Sequence, residues 1–181
     1  MSKATSGQIS AKAADVYEQF FVPALFDEAA ANSLAAASVG PGRSVLDIAC
    51  GTGALARRAA KLVGAENVLG VDLNPDMLEA ARREAPDIGW REAAAEALPF
   101  EDGRFDYVFC QFGLMFFADR EAALREMRRV AKPGGLVAVA VWDAIETSPG
   151  YCAMAELLDA LFGPEAAAAM RAPFALGDIA E

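Results

Sequence analysis

Two aspartates, Asp47 and Asp72, each sit within or at the end of a short apolar run, and the glycine turn Gly51-Thr52-Gly53 lies between them. An ionised carboxylate accepts hydrogen bonds and donates none, so each suits the capture of hydroxyl or ammonium groups. Glycines turn the chain sharply and let a ligand approach the backbone, because no Cβ stands in the way. The run Val45-Leu46-Asp47-Ile48-Ala49-Cys50-Gly51-Thr52-Gly53 passes at once into the helix-forming Ala54-Leu55-Ala56-Arg57-Arg58. A strand, a glycine turn and a helix at the carboxyl edge of an open α/β sheet form the place where nucleotide-like ligands bind. The chain has no histidine, which removes the commonest general base and with it Ser-His-Asp and Cys-His mechanisms. Cys50, Cys110 and Cys152 are far apart and odd in number, which reads as three reduced thiols with neither a disulfide framework nor a metal site.

These residues need a sheet to bring them together, and the pattern supplies one. Apolar positions from Gln8 to Ser38 follow helical spacing, with Pro23 interrupting, and Gly40-Pro41-Gly42 punctuates before a first strand at Ser44 to Ile48. A helix from Ala54 to Val63 stops at Gly64, a C-terminal glycine. The second strand, Asn67 to Asp72, is followed by Asn74-Pro75-Asp76, which reads as N-cap, proline at the first helical position and an acid in the first turn. A short third strand spans Ile88 to Arg91 and a fourth Phe105 to Cys110. Asp119 caps a helix whose buried face carries Leu124, Met127, Val130 and Ala131, and Pro133-Gly134-Gly135 leads into an apolar strand from Leu136 to Trp142. Apolar runs without alternation suit strands covered on both faces. Strand and helix alternate five times, which predicts an α/β fold with a doubly wound, mostly parallel sheet and right-handed crossovers.

The bulk numbers narrow the class. With 181 residues, 55% of them hydrophobic, and no low-complexity tract, the chain reads as one domain over 1–181, with an N-terminal helical segment over 1–40 and a helical tail over 143–181. No apolar run approaches the roughly 20 residues of a membrane span, and the N-terminus lacks a signal peptide's apolar core, so the expected compartment is cytoplasmic. A net charge of −10 argues against nucleic acid as a partner. The arginine-rich stretches at Arg57-Arg58, Arg82-Arg83 and Arg125 to Arg129 read as solvated helix faces.

Gly51 to Ala56 also fits G-x-G-x-x-A, with Asp72 where a ribose-binding acid belongs, so an NAD(P)-dependent dehydrogenase is one reading. Three features shift the weight. Asp47 stands inside the strand, ahead of the glycines. Leu73-Asn74-Pro75-Asp76-Met77-Leu78 follows Asp72 as a helix start with a further apolar pair. Glu96-Ala97-Leu98-Pro99-Phe100, Phe105-Asp106 and Pro133-Gly134-Gly135 then come in the order of one family. From about Tyr17 to Trp142 the chain resembles the class I S-adenosylmethionine-dependent methyltransferases, most of all the ubiquinone and menaquinone biosynthesis branch.

The resemblance implies a Rossmann-like methyltransferase fold, S-adenosylmethionine as cofactor and S-adenosylhomocysteine as product. It places Asp47 at the cofactor's amino end, the backbone of Ala49, Gly51 and Gly53 along the methionine and ribose, and Asp72 on both ribose hydroxyls. Leu73 and Met77 would pack on the adenine, Ala95 and Glu96 border its edge, and Cys110, Gln111 and Phe112 close the site near the sulfonium. Ala94 departs from the pattern, since the family commonly carries Asp there. Plainer readings stand beside these: Asp47 as a strand-end acid satisfying loop amides, Asp72 as a cap (a task Asn74 already fills), and Tyr17, Phe20, Phe116 and Phe117 as packing rather than site walls. Asp119 and Glu121 lie near the correct edge, but capping explains Asp119, and no catalytic residue is assigned.

The expected function is methyl transfer to a small, partly hydrophobic acceptor, with Phe20, Phe21, Phe26 and Leu114 to Phe117 as the apolar residues behind that choice. A cofactor-binding but inactive domain or fragment is the alternative, because the family's last two strands are missing after Trp142. That would leave Leu136 to Val141 as an apolar edge, a liability proteins cover or pair, and the expectation is a homodimer, or the helical tail, covering it.

Overall fold

The computed structural model describes residues 11–177. Five parallel strands form one sheet in the order β3-β2-β1-β4-β5: β1 Val45–Ile48, β2 Val68–Asp72, β3 Gly89–Glu92, β4 Phe105–Gln111 and β5 Ala131–Ala140. Between them run α3 Ala54–Val63, α4 Pro75–Glu84 and α5 Arg120–Val130, preceded by α1 Ala11–Val16 and α2 Asp27–Ala36 and followed by α6 Pro149–Phe162 and α7 Pro164–Arg171. The reversal of strand order falls between β1 and β4, the switch point where such sheets bind ligands.

All four side chains of β1 are buried, as befits a central strand covered on both faces. One core, built on Leu46, Ile48, Val71, Val108, Met127 and Val130, lies beneath α5. The other packs Val45, Val68 and Phe109 against Leu55, Ala59 and Val63 of α3 and Ala30 and Leu34 of α2. The small alanines let α3 and α2 approach closely, and Asn74 starts α4 as expected, its side chain accepting from the amides of Asp76 and Met77 with Pro75 at the first position.

Several expectations need correction. Pro23 does not interrupt the N-terminal helix: it lies inside a π-helical stretch, Tyr17–Phe26, whose wider turn leaves room for a residue that has no amide to donate. Leu124 does not join the buried face of α5, which is Ala123, Met127 and Val130; at roughly 3.6 residues per turn it stands about 100° around the helix from Ala123 and about 120° from Val130. The strand expected from Leu136 already begins at Ala131, and β5 is not covered on both faces, because Leu136 and Val139 are exposed. The helical tail folds, but Ile145, Ala155 and Phe174 pack with Trp142 and Tyr151 at the carboxyl end of β5, not along its edge. Gln8 to Ser10 and Asp178 to Glu181 lie outside the described residues.

Arg82, Arg83, Arg125 and Arg128 lie on exposed helix faces, and several of the arginines carry ion pairs. Arg57 pairs with Glu18 and Glu84, Arg58 with Asp27, Arg83 with Asp15, and Arg129 with Glu126 and Asp102. Among the described residues, all three thiols are free and no cluster of potential metal ligands occurs.

Candidate functional site

The carboxyl ends of β1 and β4 each break into a left-handed residue that is not glycine, Ala49 at φ 54° and Phe112 at φ 56°. Non-glycine residues are uncommon there and gather at functional sites. The two turns touch: a Cβ on Gly113 would lie 2.6 Å from the Ala49 Cβ, so only glycine lets them meet. Gly51, at φ 55°, and Gly53, at φ 87°, then bend the chain into α3.

Asp72 ties β2 to this turn. Its Oδ2 accepts the Gly51 amide at 2.8 Å and its Oδ1 the Asn74 amide at 2.9 Å. Each oxygen keeps an acceptor site, since a carboxylate has about four. Burial raises the Asp72 pKa, while the bonded amides of Asn74 and Gly51 and the nearby Leu73 amide pull it back. The cap on α4 is Asn74 rather than Asp72, which leaves the acid for the turn and for what approaches it.

Asp47 is 2% exposed and its Oδ2 accepts the Ala56 amide at 3.1 Å. Burial pushes its pKa up to about 7, against the lowering effect of that amide, with the Asp72 charge adding to the rise. Beside it Thr52 is buried, and its Oγ1 has no hydrogen-bond partner among the described residues. Orphaned buried polar atoms are few in folded proteins and call for an explanation. The two line a cavity of about 20 Å³ together with Ala49, Cys50, Ala54, Leu55 and Gln111, roofed by Tyr17 and Phe26. The Gln111 amide donates to Phe26 O at 3.3 Å and accepts from the Ser33 hydroxyl at 3.2 Å.

Of the residues singled out in the sequence, Asp47, Ala49, Gly51, Gly53, Asp72, Gln111 and Phe112 are thus gathered at the carboxyl ends of β1, β2 and β4. Met77 is buried against Ala14, Ala80 and Tyr17, and Leu73 is exposed. Ala95 and Cys110 lie in the core beneath α5. The Glu96 carboxylate reaches the amides of Ala118 and Asp119, so it fastens the loop before α5. Asp119 accepts the Ala122 amide as an N-cap, and Glu121 pairs with Arg125. Thr52 escaped the sequence reading, because a hydroxyl between two glycines carries no signal of whether it finds a partner.

A family model described as a methyltransferase domain matches residues 45–135. An uncharacterised protein of Mycobacterium tuberculosis (strain H37Rv) is 43% identical over 113 residues, 60% of this chain and 40% of that protein. The ubiquinone/menaquinone biosynthesis C-methyltransferase of Hahella chejuensis is 46% identical over 105 residues, covering 54% of this chain and 42% of the enzyme. The chain therefore spans less than half the length of these relatives. Among solved structures, a SAM-dependent methyltransferase from Aquifex aeolicus aligns with a TM-score of 0.65 at 22% identity, over 75% of this chain and 74% of that one, a likeness of fold.

Proposed function

The chain belongs to the methyltransferase-domain family, whose cofactor is S-adenosylmethionine, and on that premise we propose that it transfers a methyl group to a small, partly hydrophobic acceptor, releasing S-adenosylhomocysteine. The observation that carries the reading is the bond from the Gly51 amide to Asp72, which joins the acid after β2 and the glycine turn after β1 into one site. Bound there, S-adenosylmethionine supplies a methyl group on a positively charged sulfur, already an activated leaving group.

The residues' share is to hold and orient, and to exclude water. Asp72 takes the ribose hydroxyls with the acceptor sites its two amide bonds leave open. Asp47 and the Thr52 hydroxyl suit the amino end. Ala49, Gly51 and Gly53 offer backbone, Leu73 and Met77 an apolar face for the adenine, and Gln111 and Phe112 the sulfonium end. Ala95 and Cys110 shape the wall from behind, and Glu96 holds the bordering loop. Exposed Phe20, Phe21 and Phe116 support an acceptor with apolar surface.

The outer edge of β5 is uncharged from Leu136 to Val141 in a chain of net charge −10. A second copy can meet it there without charge repulsion, which supports self-pairing into a homodimer.

Calorimetric titration with S-adenosylhomocysteine tests the site. Asp72→Ala removes two charge-assisted bonds of roughly 1.5–3 kcal/mol each, so affinity falls about 100-fold or more. Near-normal affinity would sink the assignment. Formation of S-adenosylhomocysteine across a panel of apolar and polar acceptors tests the activity itself.

A further inference from the structure

The polar groups around Asp47 suit the cofactor, but the room does not. The cavity under Tyr17 and Phe26 is about 20 Å³, enough for one water molecule, whereas pockets for small ligands run to roughly 300–1,000 Å³. A ring that merely covered a ligand would leave that ligand's volume beneath it. Here the Tyr17 ring comes within 3.9 Å of the position a Gly51 Cβ would take, van der Waals range of the turn itself. Phe26 stacks on Tyr17 at 5.0 Å between centroids and continues to Phe112 at 5.8 Å.

Resting on the methyltransferase reading, we propose that the segment from Ala14 to Phe26 is a plug, with Tyr17 and Phe26 filling the cofactor's place, and that the cofactor enters only after this segment lifts away. Its attachment is divided in a way that allows this. Downstream, α2 is held fast: Ala30 and Leu34 are buried in the core beneath α3, and Asp27 accepts both a 2.5 Å Nε and a 2.5 Å Nη2 bond from Arg58. Within the segment, Val22 is buried and Phe26 O accepts from Gln111, and its first turns are held from α3 and α4. Ala14 packs on Met77 and Ala80, Asp15 pairs with Arg83, and Glu18 Oε1 meets Arg57 at 2.7 Å. The other oxygen of Glu18 is buried without a partner among the described residues, which penalises the seated form. The π-helical stretch Tyr17–Phe26 makes up most of the segment and meets α2 at Asp27, and this geometry is frequent at functional sites.

A plug and a cover predict opposite signs. If only an open fraction binds, apparent affinity is reduced by that fraction, and loosening the plug restores it. A cover contributes contacts to the bound ligand, and loosening it weakens binding.

The test is stopped-flow tryptophan fluorescence and calorimetry with S-adenosylhomocysteine on the full chain, Glu18→Gln and Tyr17→Ala. Trp142, with its centroid 6.2 Å from that of Phe26, reports lifting of the segment. Glu18→Gln removes the charge that pairs the segment with Arg57 and so weakens that hold, while Arg57 keeps Glu84. The plug predicts an observed rate that levels off with ligand concentration in the parent chain. It also predicts a higher plateau and about three- to tenfold tighter binding in both variants. Weaker or unchanged binding in the variants, with a rate linear in ligand, overturns the plug while leaving the methyltransferase reading intact. No binding by any of the three proteins overturns the methyltransferase reading. If Tyr17→Ala fails to fold by circular dichroism, Glu18→Gln decides alone.

Discussion

Asp47 shows at the scale of one residue how a buried acid, proposed to bind, weakens the fold that carries it. A lone carboxylate, 2% exposed with one amide bond, is a group whose charged form burial disfavours. Its folded pKa of about 7 lies above the unfolded value of roughly 3.9. Between those two values the folded chain binds the extra proton. Stability owed to this group is therefore fully present below about pH 4, is lost as pH rises toward 7, and is flat above. Asp47→Asn keeps an oxygen for the Ala56 amide and removes the titration. Urea denaturation should find the variant close to the parent at pH 4.5 and clearly more stable at pH 8, with cofactor affinity lowered. A stability difference that does not widen with pH would contradict the cost assigned to the buried charge. Such residues are half legible from sequence: an acid inside an apolar strand announces a task, but its partner, the Ala56 amide, depends on how α3 is laid across β1.

At the scale of elements, the glycine turn is held as much by what fills the space around it as by its own flexibility. A Cβ on Gly53 would lie 2.3 Å from the Trp90 ring, and one on Gly70 equally close. The indole, anchored by its Nε1 to Ala85 O at 2.9 Å, thus spans β2 from β3 to the start of α3. Gly53→Ala should cost about 2–4 kcal/mol, from a left-handed backbone and an overpacked ring. Trp90→Ala removes the steric part, so the double variant should be less destabilised than the sum of the single ones in chemical denaturation. Strict additivity would show that the ring and the turn do not compete. The loop after β3 is held in a comparable way, by Arg129 donating to Leu98 O and Phe100 O and by Glu126 accepting the Leu98 amide. The caps Asn74 and Asp119 were legible because capping is local. The Trp90 fit and the Arg129 clamp were not, because their partners lie on separate strands and loops.

For the whole molecule, the open question is the free side of β5. Leu136 is 42% and Val139 37% exposed, and β5 ends the strand order. Unpaired, uncharged edges invite pairing, and a lysine is the usual way proteins blunt them. Light scattering at micromolar concentration should give a dimer for the parent chain and a monomer for Val139→Lys with an unchanged circular dichroism spectrum. A monomeric parent would remove the self-pairing. No helix among the described residues is long and apolar enough to cross a membrane.

The sequence by itself determined the parallel α/β alternation, the caps, the glycine turn flanked by Asp47 and Asp72, and through their order the methyltransferase family. These are short-range signals, set by backbone freedom, periodicity and hydrogen bonds to near neighbours. Only the tertiary structure decided that the amide of Gly51 binds Asp72, that Ala49 and Phe112 adopt left-handed turns in contact, that the Thr52 hydroxyl is left without a partner among the described residues, and that Tyr17 and Phe26 sit on the turn. Each depends on surfaces brought together from distant parts of the chain, where packing chooses among conformations that local sequence leaves nearly equal.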